Sequence, residues 1–456
     1  MAHLLPPPAV SNRRPFPAWA MLDCFVRRRD DDSFPAGNPT AASLTNSRGD
    51  PFDVCLSLEK PPRPSTLYLR WPRGPKEGEP VDVAAAHGGA VLLLMHYTVP
   101  VRGGLVFPMI DYFVCTPAAA GGPSLRRLPS LGGTIAEVQA RGEAEKLHVS
   151  KALVRRMESL DIGIVHQGPG DFAVAELQIV ADDDDAARPE LRVFNPSVSD
   201  QWVLKAPRVV PVHPRDGLDM SLVLWYWDTD AVVPCGTWLC WVDYTAGVLL
   251  CNVLGEEEEE SSEILFMELP VKPACVINRD VGGKGWLQAY HALGTSATNG
   301  GSDVLKFARV LADEAPSPDG IIRPVNHPFP NRFVVTTWSL KLGLGDSMAW
   351  HWQEESAVTA DQLRDLDEFD HLPRELLMFP TFNLDNPDVV SFMLKKDEGT
   401  YDAGEIWLVA INVEEKTVKS SMLYIKNYDG CSPEEAELFE RKIWYIEPFL
   451  PVEFSK

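Results

Sequence analysis

The stretch TWLCWVDYTAGVLLC, residues Thr237 to Cys251, decides the fold class of this chain. An apolar run from Trp238 to Val242 is followed by a short polar turn that ends in Gly247, and a second apolar run then reaches Cys251. Two apolar runs joined by a short turn with glycine predict a β-hairpin. We therefore expect antiparallel strands at this point of the chain.

The same pattern recurs in both directions from the hairpin. The clearest strand-like runs are Phe52–Leu58, Ala90–Met95, Arg332–Leu340, Met348–Gln353, Glu405–Val413 and Thr417–Ile425. About six units of strand, turn and strand follow one another at irregular spacing, and radial repetition of small sheets hides the edges of such strands. The sequence predicts an all-β fold with a few peripheral helices, β-propeller-like, with about six irregular blades. Two separate β-rich domains are the alternative.

Length and composition agree with this fold class. A chain of 456 residues, 45% of them apolar, is too long for one ordinary hydrophobic core. The 39 prolines disfavour many helices, because an internal proline removes a backbone hydrogen bond, and the 13 tryptophans favour strands.

Three regions are expected along the chain. Residues 1–17 are proline-rich and predict a flexible arm, residues 18–430 the propeller-like domain, and residues 431–456 a C-terminal helix and tail that pack on it. The acidic blocks Asp182–Asp185 and Glu256–Glu260 are interpreted as solvated loop tips, with an acidic binding tail as the alternative. Capping residues predict helices over Ile135–Leu147 and Ala360–Phe369 and from Ser432 to about Lys442.

Charge and cysteine usage narrow the partners and the compartment. The net charge of -23 disfavours direct binding to nucleic acid and to anionic membranes, and no apolar run is long enough to span a bilayer. The eight cysteines contain no C-x-x-C pair and mostly lie in apolar runs, which indicates buried thiols in a reducing compartment. We expect a cytoplasmic or nuclear protein with unknown protein partners; the sequence does not predict its oligomeric state.

No motif in the sequence predicts a catalytic residue, a bound cofactor or a metal ion. The chain has no G-x-S-x-G elbow, no phosphate-binding loop and no H-E-x-x-H pair. Cys235, Cys240 and Cys251 are interpreted as buried strand residues, with a zinc site as the alternative. Asp243 is the first candidate among the carboxylates for a functional acid, and we interpret it as a residue that caps the turn.

Two tryptophan pairs are the candidate binding surface. Trp225 and Trp227, and likewise Trp350 and Trp352, are separated by one residue, so on a strand both indoles of a pair would share one face. Packing between blades is one interpretation, and a stacking platform for a peptide or a sugar is the other.

Five segments of the chain together carry a family resemblance: Trp19–Asp23, Pro61–Tyr68, Val83–Gly88, Trp241–Cys251, and Trp338–Lys341 with Trp350. With these segments the chain resembles a plant family called domain of unknown function 1618, which is expanded in grasses. The family has no established activity and no agreed catalytic residues, so the resemblance assigns neither to this chain. The strand-turn-Trp pattern looks like the propeller regions attached to F-box proteins.

Three functional hypotheses follow. The first is a non-enzymatic interaction scaffold that binds through one rim of the propeller, where loops between strands gather. The second is a propeller-type hydrolase or carbohydrate-acting enzyme, which requires convergent acidic or histidine residues at the central channel. The third is a nuclear regulatory partner recruited by other proteins.

Overall fold

The computed structural model describes most of the chain. The described residues are 16–76, 81–100, 106–117, 122–130, 135, 161–168, 170–181, 186–255, 263–271, 287–297, 303–312, 333–342, 350–396, 404–426, 436–437 and 448–454. Both acidic blocks, nearly all of the predicted N-terminal arm, and the helices predicted from Ile135 and Ser432 lie outside these ranges, apart from isolated residues.

Within these ranges the strands form six sheets, which we number as blades in chain order. From its inner to its outer edge, blade 1 consists of β26 (Leu450–Glu453), β1 (Trp19–Arg28), β4 (Pro64–Arg70), β3 (Pro51–Ser57) and β2 (Ala42–Thr45). Blade 2 consists of β5 (Val81–His87), β6 (Ala90–Pro100), β7 (Val106–Thr116) and β8 (Ser124–Arg127). Blade 3 consists of β9 (Ile162–Gly168), β10 (Asp171–Ala181), β11 (Ala187–Phe194) and β12 (Val203–Lys205).

The other three blades follow the same plan. Blade 4 consists of β14 (Ala231–Cys235), β15 (Trp238–Asp243), β16 (Gly247–Asn252), β17 (Glu263–Met267) and β13 (Arg208–Pro211). Blade 5 consists of β18 (His291–Ala297), β19 (Asp303–Ala312), β20 (Phe333–Leu342) and β21 (Gln353–Thr359). Blade 6 consists of β22 (Met378–Phe382), β23 (Val389–Lys395), β24 (Ile406–Asn412) and β25 (Thr417–Ile425).

The six innermost strands close a ring. Contacts join β26 to β5, β5 to β9, β9 to β14, β14 to β18, β18 to β22, and β22 back to β26. The predicted fold class, an all-β chain arranged like a six-bladed propeller, is therefore confirmed, and the alternative of two separate β-rich domains is wrong.

Both ends of the described chain meet in blade 1. Strand β26 pairs antiparallel with β1, with Ala20 opposite Val452, and the amide of Phe454 donates to the carbonyl of Ala18 at 2.8 Å. Val452 is fully buried among the apolar residues shared by blades 1 and 2. The C-terminal strand thus closes the ring by completing the first blade.

The core of the molecule lies between the blades. Each of the six seams between neighbouring blades holds one cluster of buried apolar side chains among the described residues. A blade strand is therefore apolar on both faces, which is why runs such as Ala90–Met95 and Trp238–Val242 show little alternation.

The hairpin at Thr237–Cys251 has the predicted form. Strands β15 and β16 pair antiparallel from Trp238 and Asn252 to Asp243 and Gly247. The Oδ1 atom of Asp243 accepts hydrogen bonds from the amide and hydroxyl of Thr245, at 2.8 and 2.5 Å. This confirms that Asp243 caps the turn.

The described helices are short and lie at the edges of the blades. They are α1 (Met220–Trp225), α2 (Leu287–Tyr290), α3 (Ala360–Arg364) and a 3₁₀ turn (Asp367–Phe369), and none of them is long and apolar enough to cross a membrane. The predicted capping box of α3 is present, because the Thr359 and Gln362 side chains each bond the backbone of the other residue. The helix ends at Arg364, earlier than the predicted Phe369.

Candidate functional site

Helix α1 carries large apolar side chains on two faces. Leu224 is buried and packs, with Met220 and Val223, into the seam between blades 3 and 4. On the other face Leu222, Trp225 and Tyr226 are 56%, 48% and 52% exposed. Their spacing of three and four residues places them side by side on the helix surface. We call these three residues the α1 stripe.

The helix begins where the sequence offers a cap. The carboxylate of Asp219 accepts hydrogen bonds from the amides of Ser221 and Leu222, at 3.0 and 3.2 Å. The helix ends after six residues, at Trp225. Its buried face anchors it on β10 and β11, so the α1 stripe is held in a fixed position.

Strand β12 adds one residue to this apolar surface. It is the outermost strand of blade 3 and pairs with β11, against which α1 lies. Val203 is opposite Val193, which packs in the same seam as Leu224, so Val203 projects on the side of the blade that carries α1. Val203 is 39% exposed, and we call the α1 stripe together with Val203 the α1 surface.

Exposed carboxylates flank the elements of the α1 surface in the chain. Asp200 precedes β12, Asp216 and Asp219 precede α1, and all three are exposed. Two arginines of the same segment are already paired: Arg208 with Glu263 at 2.9 Å and Arg215 with Glu268 at 2.6 Å. An apolar surface on elements flanked by carboxylates favours a partner that is apolar and basic.

The four tryptophans of the predicted binding surface are not on strands, so that part of the prediction is wrong. Trp225 ends α1, and Trp227 follows it, partly buried, with its indole nitrogen donating to the hydroxyl of Thr229 at 3.2 Å. Trp350 and Trp352 precede β21, which starts at Gln353. Within the strand predicted over Met348–Gln353, residues 350–352 are therefore not in a strand, and residues 348 and 349 lie outside the described ranges. Asp219, which caps the helix, was the sequence signal for α1. The apolar run Met220–Trp227 favoured a strand instead and hid that signal.

The second tryptophan pair lies at the seam between blades 4 and 5. Trp350 is 6% exposed and meets Trp238 edge to face, with ring centroids 5.7 Å apart, so it packs between blades. The indole nitrogen of Trp352 donates to the carbonyl of Glu268 at 3.0 Å. Trp352 borders a groove of about 120 Å³ whose lining comprises His213, Leu218, Phe266, Met267, Glu268, His351 and Trp352.

Two histidines meet on the innermost strands of blades 2 and 3. The amide of His166 donates to Nδ1 of His87 at 3.0 Å, and Nδ1 of His166 donates to the carbonyl of Gly88 at 2.8 Å. Burial, and secondly the neighbouring His166, lower the pKa of His87 to about 4. The pair joins two blades at the end of their inner strands.

Metal-ligating residues do not converge in the described part of the chain. No group of three or more His, Cys, Asp or Glu side chains there has the geometry to hold a metal ion. Cys235, Cys240 and Cys251 are buried thiols, and burial raises the pKa of both Cys235 and Cys240.

The ring of six sheets and the exposed α1 surface define a β-propeller-like protein with an apolar patch on one blade. A family model described as Protein of unknown function (DUF1618) matches residues 241–391, from β15 to β23, and supports the family resemblance drawn from the same segment. The comparison with curated proteins gives no match.

Three solved structures show weak similarity to the chain. An exo-1,5-alpha-L-arabinanase from a bovine ruminal metagenomic library has 10% identity and a TM-score of 0.23, with 76% of this chain and 94% of that chain covered. TolB from Acinetobacter baumannii has 11% identity and a TM-score of 0.15, with 72% and 68% covered. The tail fiber of Staphylococcus aureus phage P68 has 7% identity and a TM-score of 0.13, with 84% and 93% covered.

Proposed function

We propose that the protein is a non-enzymatic interaction scaffold of the cytoplasm or nucleus that binds a partner protein through the α1 surface. The observation that carries this proposal is the α1 stripe, three large apolar side chains about half exposed on one short helix. A surface helix that is apolar on both faces is expected to have something to cover its outer face.

The composition of the stripe supports binding. Tryptophan and tyrosine are enriched among the residues that dominate binding energy at protein interfaces. Burial of apolar surface contributes about 25 cal/mol per Å², so covering side chains of this size is favourable by several kcal/mol. Scattered single apolar residues are ordinary on a protein surface, whereas Leu222, Trp225 and Tyr226 are neighbours.

The partner that fits is a protein segment with an apolar face flanked by Lys or Arg. The exposed residues Asp200, Asp216 and Asp219 flank β12 and α1 in the chain, which carries a net charge of -23. Complementary charge speeds encounter and excludes acidic partners. A second copy of this chain would bring the same carboxylates together, which disfavours self-association through this surface.

A peptide selection tests the proposal. Display of a library of helix-forming peptides against the immobilised full-length protein should enrich peptides with apolar residues at helical spacing and flanking Lys or Arg. The double variant Leu222→Ser, Trp225→Ala should weaken binding of an enriched peptide at least tenfold in a calorimetric titration, because hot-spot truncations cost about 2 kcal/mol or more.

A matched control distinguishes binding to this surface from non-specific binding to exposed apolar residues. Val106 is also exposed, at 66%, but lies on β7 of blade 2, so Val106→Ser should leave the affinity unchanged. Enriched peptides that bind the double variant as tightly as the wild type, or that carry mainly acidic residues, would contradict the proposal. Circular dichroism of the double variant should match the wild type, since both side chains are half exposed.

A further inference from the structure

Three polar side chains form a row across blade 5. Arg309 on β19 is directly opposite His291 on β18 and Thr336 on β20. Directly opposite residues of antiparallel strands project from the same face of a sheet, about 5 Å apart. The same face carries Leu293, Phe307 and Trp338, which belong to the core between blades 4 and 5. The row therefore lies at one end of this seam.

Arg309 is a half-buried cation without a carboxylate partner among the described residues. Its guanidinium carbon lies 5.9 Å from the ring centre of Trp338, and its Nε is buried without an acceptor. Burial lowers the pKa of Arg309, and no carboxylate counteracts that effect. Other partly buried arginines do have such partners: Arg28 bonds Asp30 at 2.9 Å, and Arg192 bonds Glu176 at 3.1 Å.

This arrangement is costly unless an anion completes it. A half-buried guanidinium loses part of its hydration, and the cation–π contact with Trp338 returns only part of that loss. The chain contains 65 Asp and Glu against 42 Lys and Arg, so a partly buried arginine with no acidic neighbour is unexpected on charge balance alone. Titratable groups with perturbed pKa values cluster at functional sites.

The neighbours of Arg309 can accommodate an anion. Nδ1 of His291 donates to the carbonyl of Leu287 at 3.0 Å, and the ring stacks against both Tyr244 and Phe307, at centroid distances of 5.6 and 6.0 Å. This fixes the imidazole beside Arg309. The hydroxyl of Thr336 makes no hydrogen bond within the described structure, so it is available as a second donor next to the guanidinium fork.

We infer that Arg309 and Thr336 bind a carboxylate or phosphate group of a small ligand at the seam between blades 4 and 5. The guanidinium presents parallel N–H donors that match the oxygens of either group, and the Trp338 ring supports one side of the guanidinium. This site is separate from the α1 surface and does not depend on the function proposed for it.

Anion-dependent stability of the full-length protein tests the site. Inorganic phosphate and acetate, each titrated against chloride at constant ionic strength, should raise the melting temperature saturably, because a ligand that binds only the folded state stabilises it. Saturation by phosphate alone or by acetate alone identifies which of the two groups the site prefers, and either result supports the site.

Variants of Arg309 and Thr336 test whether these residues bind the anion. Arg309→Gln should weaken the apparent anion affinity at least tenfold, Arg309→Lys by a smaller factor, and Thr336→Val about fivefold, through loss of one charged hydrogen bond. Arg126 is the matched control, since its guanidinium also lies over an aromatic ring, that of Phe172 at 5.4 Å, but the side chain is exposed. Arg126→Gln should leave the anion effect intact.

Either of two results would overturn the inference. The first is that neither anion stabilises the wild type more than chloride does, and the second is that Arg309→Gln keeps the saturable effect. If Arg309→Gln does not fold, Arg309→Lys and Thr336→Val decide the question, and unchanged affinity in both would overturn the inference. These outcomes are independent of peptide binding to the α1 surface, so each proposal can fail alone.

Discussion

At the residue scale, Gly88 shows how closely the blades approach at the inner ring. Its φ is +55°, and a Cβ placed there would collide with the carbonyl oxygen of His166 in the next blade. Gly49 has a similar positive φ of +81° but nothing within 4 Å of such a Cβ. Comparison of Gly88 with Gly49 therefore distinguishes the cost of backbone strain from the cost of a steric collision.

Gly88→Ala should therefore destabilise the protein more than Gly49→Ala. Backbone strain alone costs about 1 kcal/mol at either position, and the collision at Gly88 should add about 2 kcal/mol or more. Urea unfolding of the two variants beside the wild type measures the difference. Equal losses in the two variants would mean that the blades can separate at His166 without cost.

His87 makes stability depend on pH. Its pKa is about 4 in the folded protein and 6.5 in the unfolded chain, because burial and the nearby His166 disfavour the cation. As the pH falls from 6.5 towards 4, the unfolded chain binds a proton that folded His87 does not, so the stability falls in this window. Since one pKa unit corresponds to about 1.4 kcal/mol, His87 should account for roughly 1–3 kcal/mol.

His87→Asn tests this account, because the amide oxygen of Asn can still accept the His166 amide but does not titrate. Urea unfolding at pH 7.5 and pH 5 should show a smaller loss of stability in the variant than in the wild type. His291, whose pKa is also about 4 through burial, remains in both proteins and leaves part of the slope. An identical loss in both proteins would show that His87 does not contribute.

At the scale of single elements, the sequence predicted the blade strands and helix α3 but not helix α1. The hairpin β15–β16 and the cap of α3 were predictable because a turn ending in Gly247 and the pair Thr359 and Gln362 are local signals. Helix α1 was not, because Met220–Trp227 is rich in residues that favour strands, and only Asp219 indicates a helix start. Tertiary packing on β10 and β11 decides its conformation.

The closing strand β26 could not be predicted either, since its partner β1 lies at the opposite end of the chain. Val452→Asp should destabilise the protein by about 3 kcal/mol or more, because it places an unpaired charge at a fully buried position of the ring. Glu453→Gln, on the exposed face of the same strand, should change stability by less than about 0.5 kcal/mol. Urea unfolding compares them, and a Val452→Asp protein as stable as the wild type would show that β26 does not hold blade 1.

At the scale of the whole molecule, the approximate number of blades was predictable, but the exact number and most of the binding surface were not. About six units of paired strands can be counted in the sequence, because blade strands are local in the chain. Which tryptophans are exposed depends on how neighbouring blades meet: Trp350 is buried by Trp238, whereas Trp225 is half exposed on a helix that the strand prediction did not include. Exposure is a property of the assembled ring.

The central claim is that this propeller binds a partner through the α1 surface. The most direct test is amide hydrogen exchange of the full-length protein, with and without an enriched peptide, followed by mass spectrometry. The account predicts slower exchange in residues 203–205 and 219–228, and no comparable change in blade 2. Protection confined to another blade, with residues 203–205 and 219–228 unchanged at saturating peptide, would contradict it.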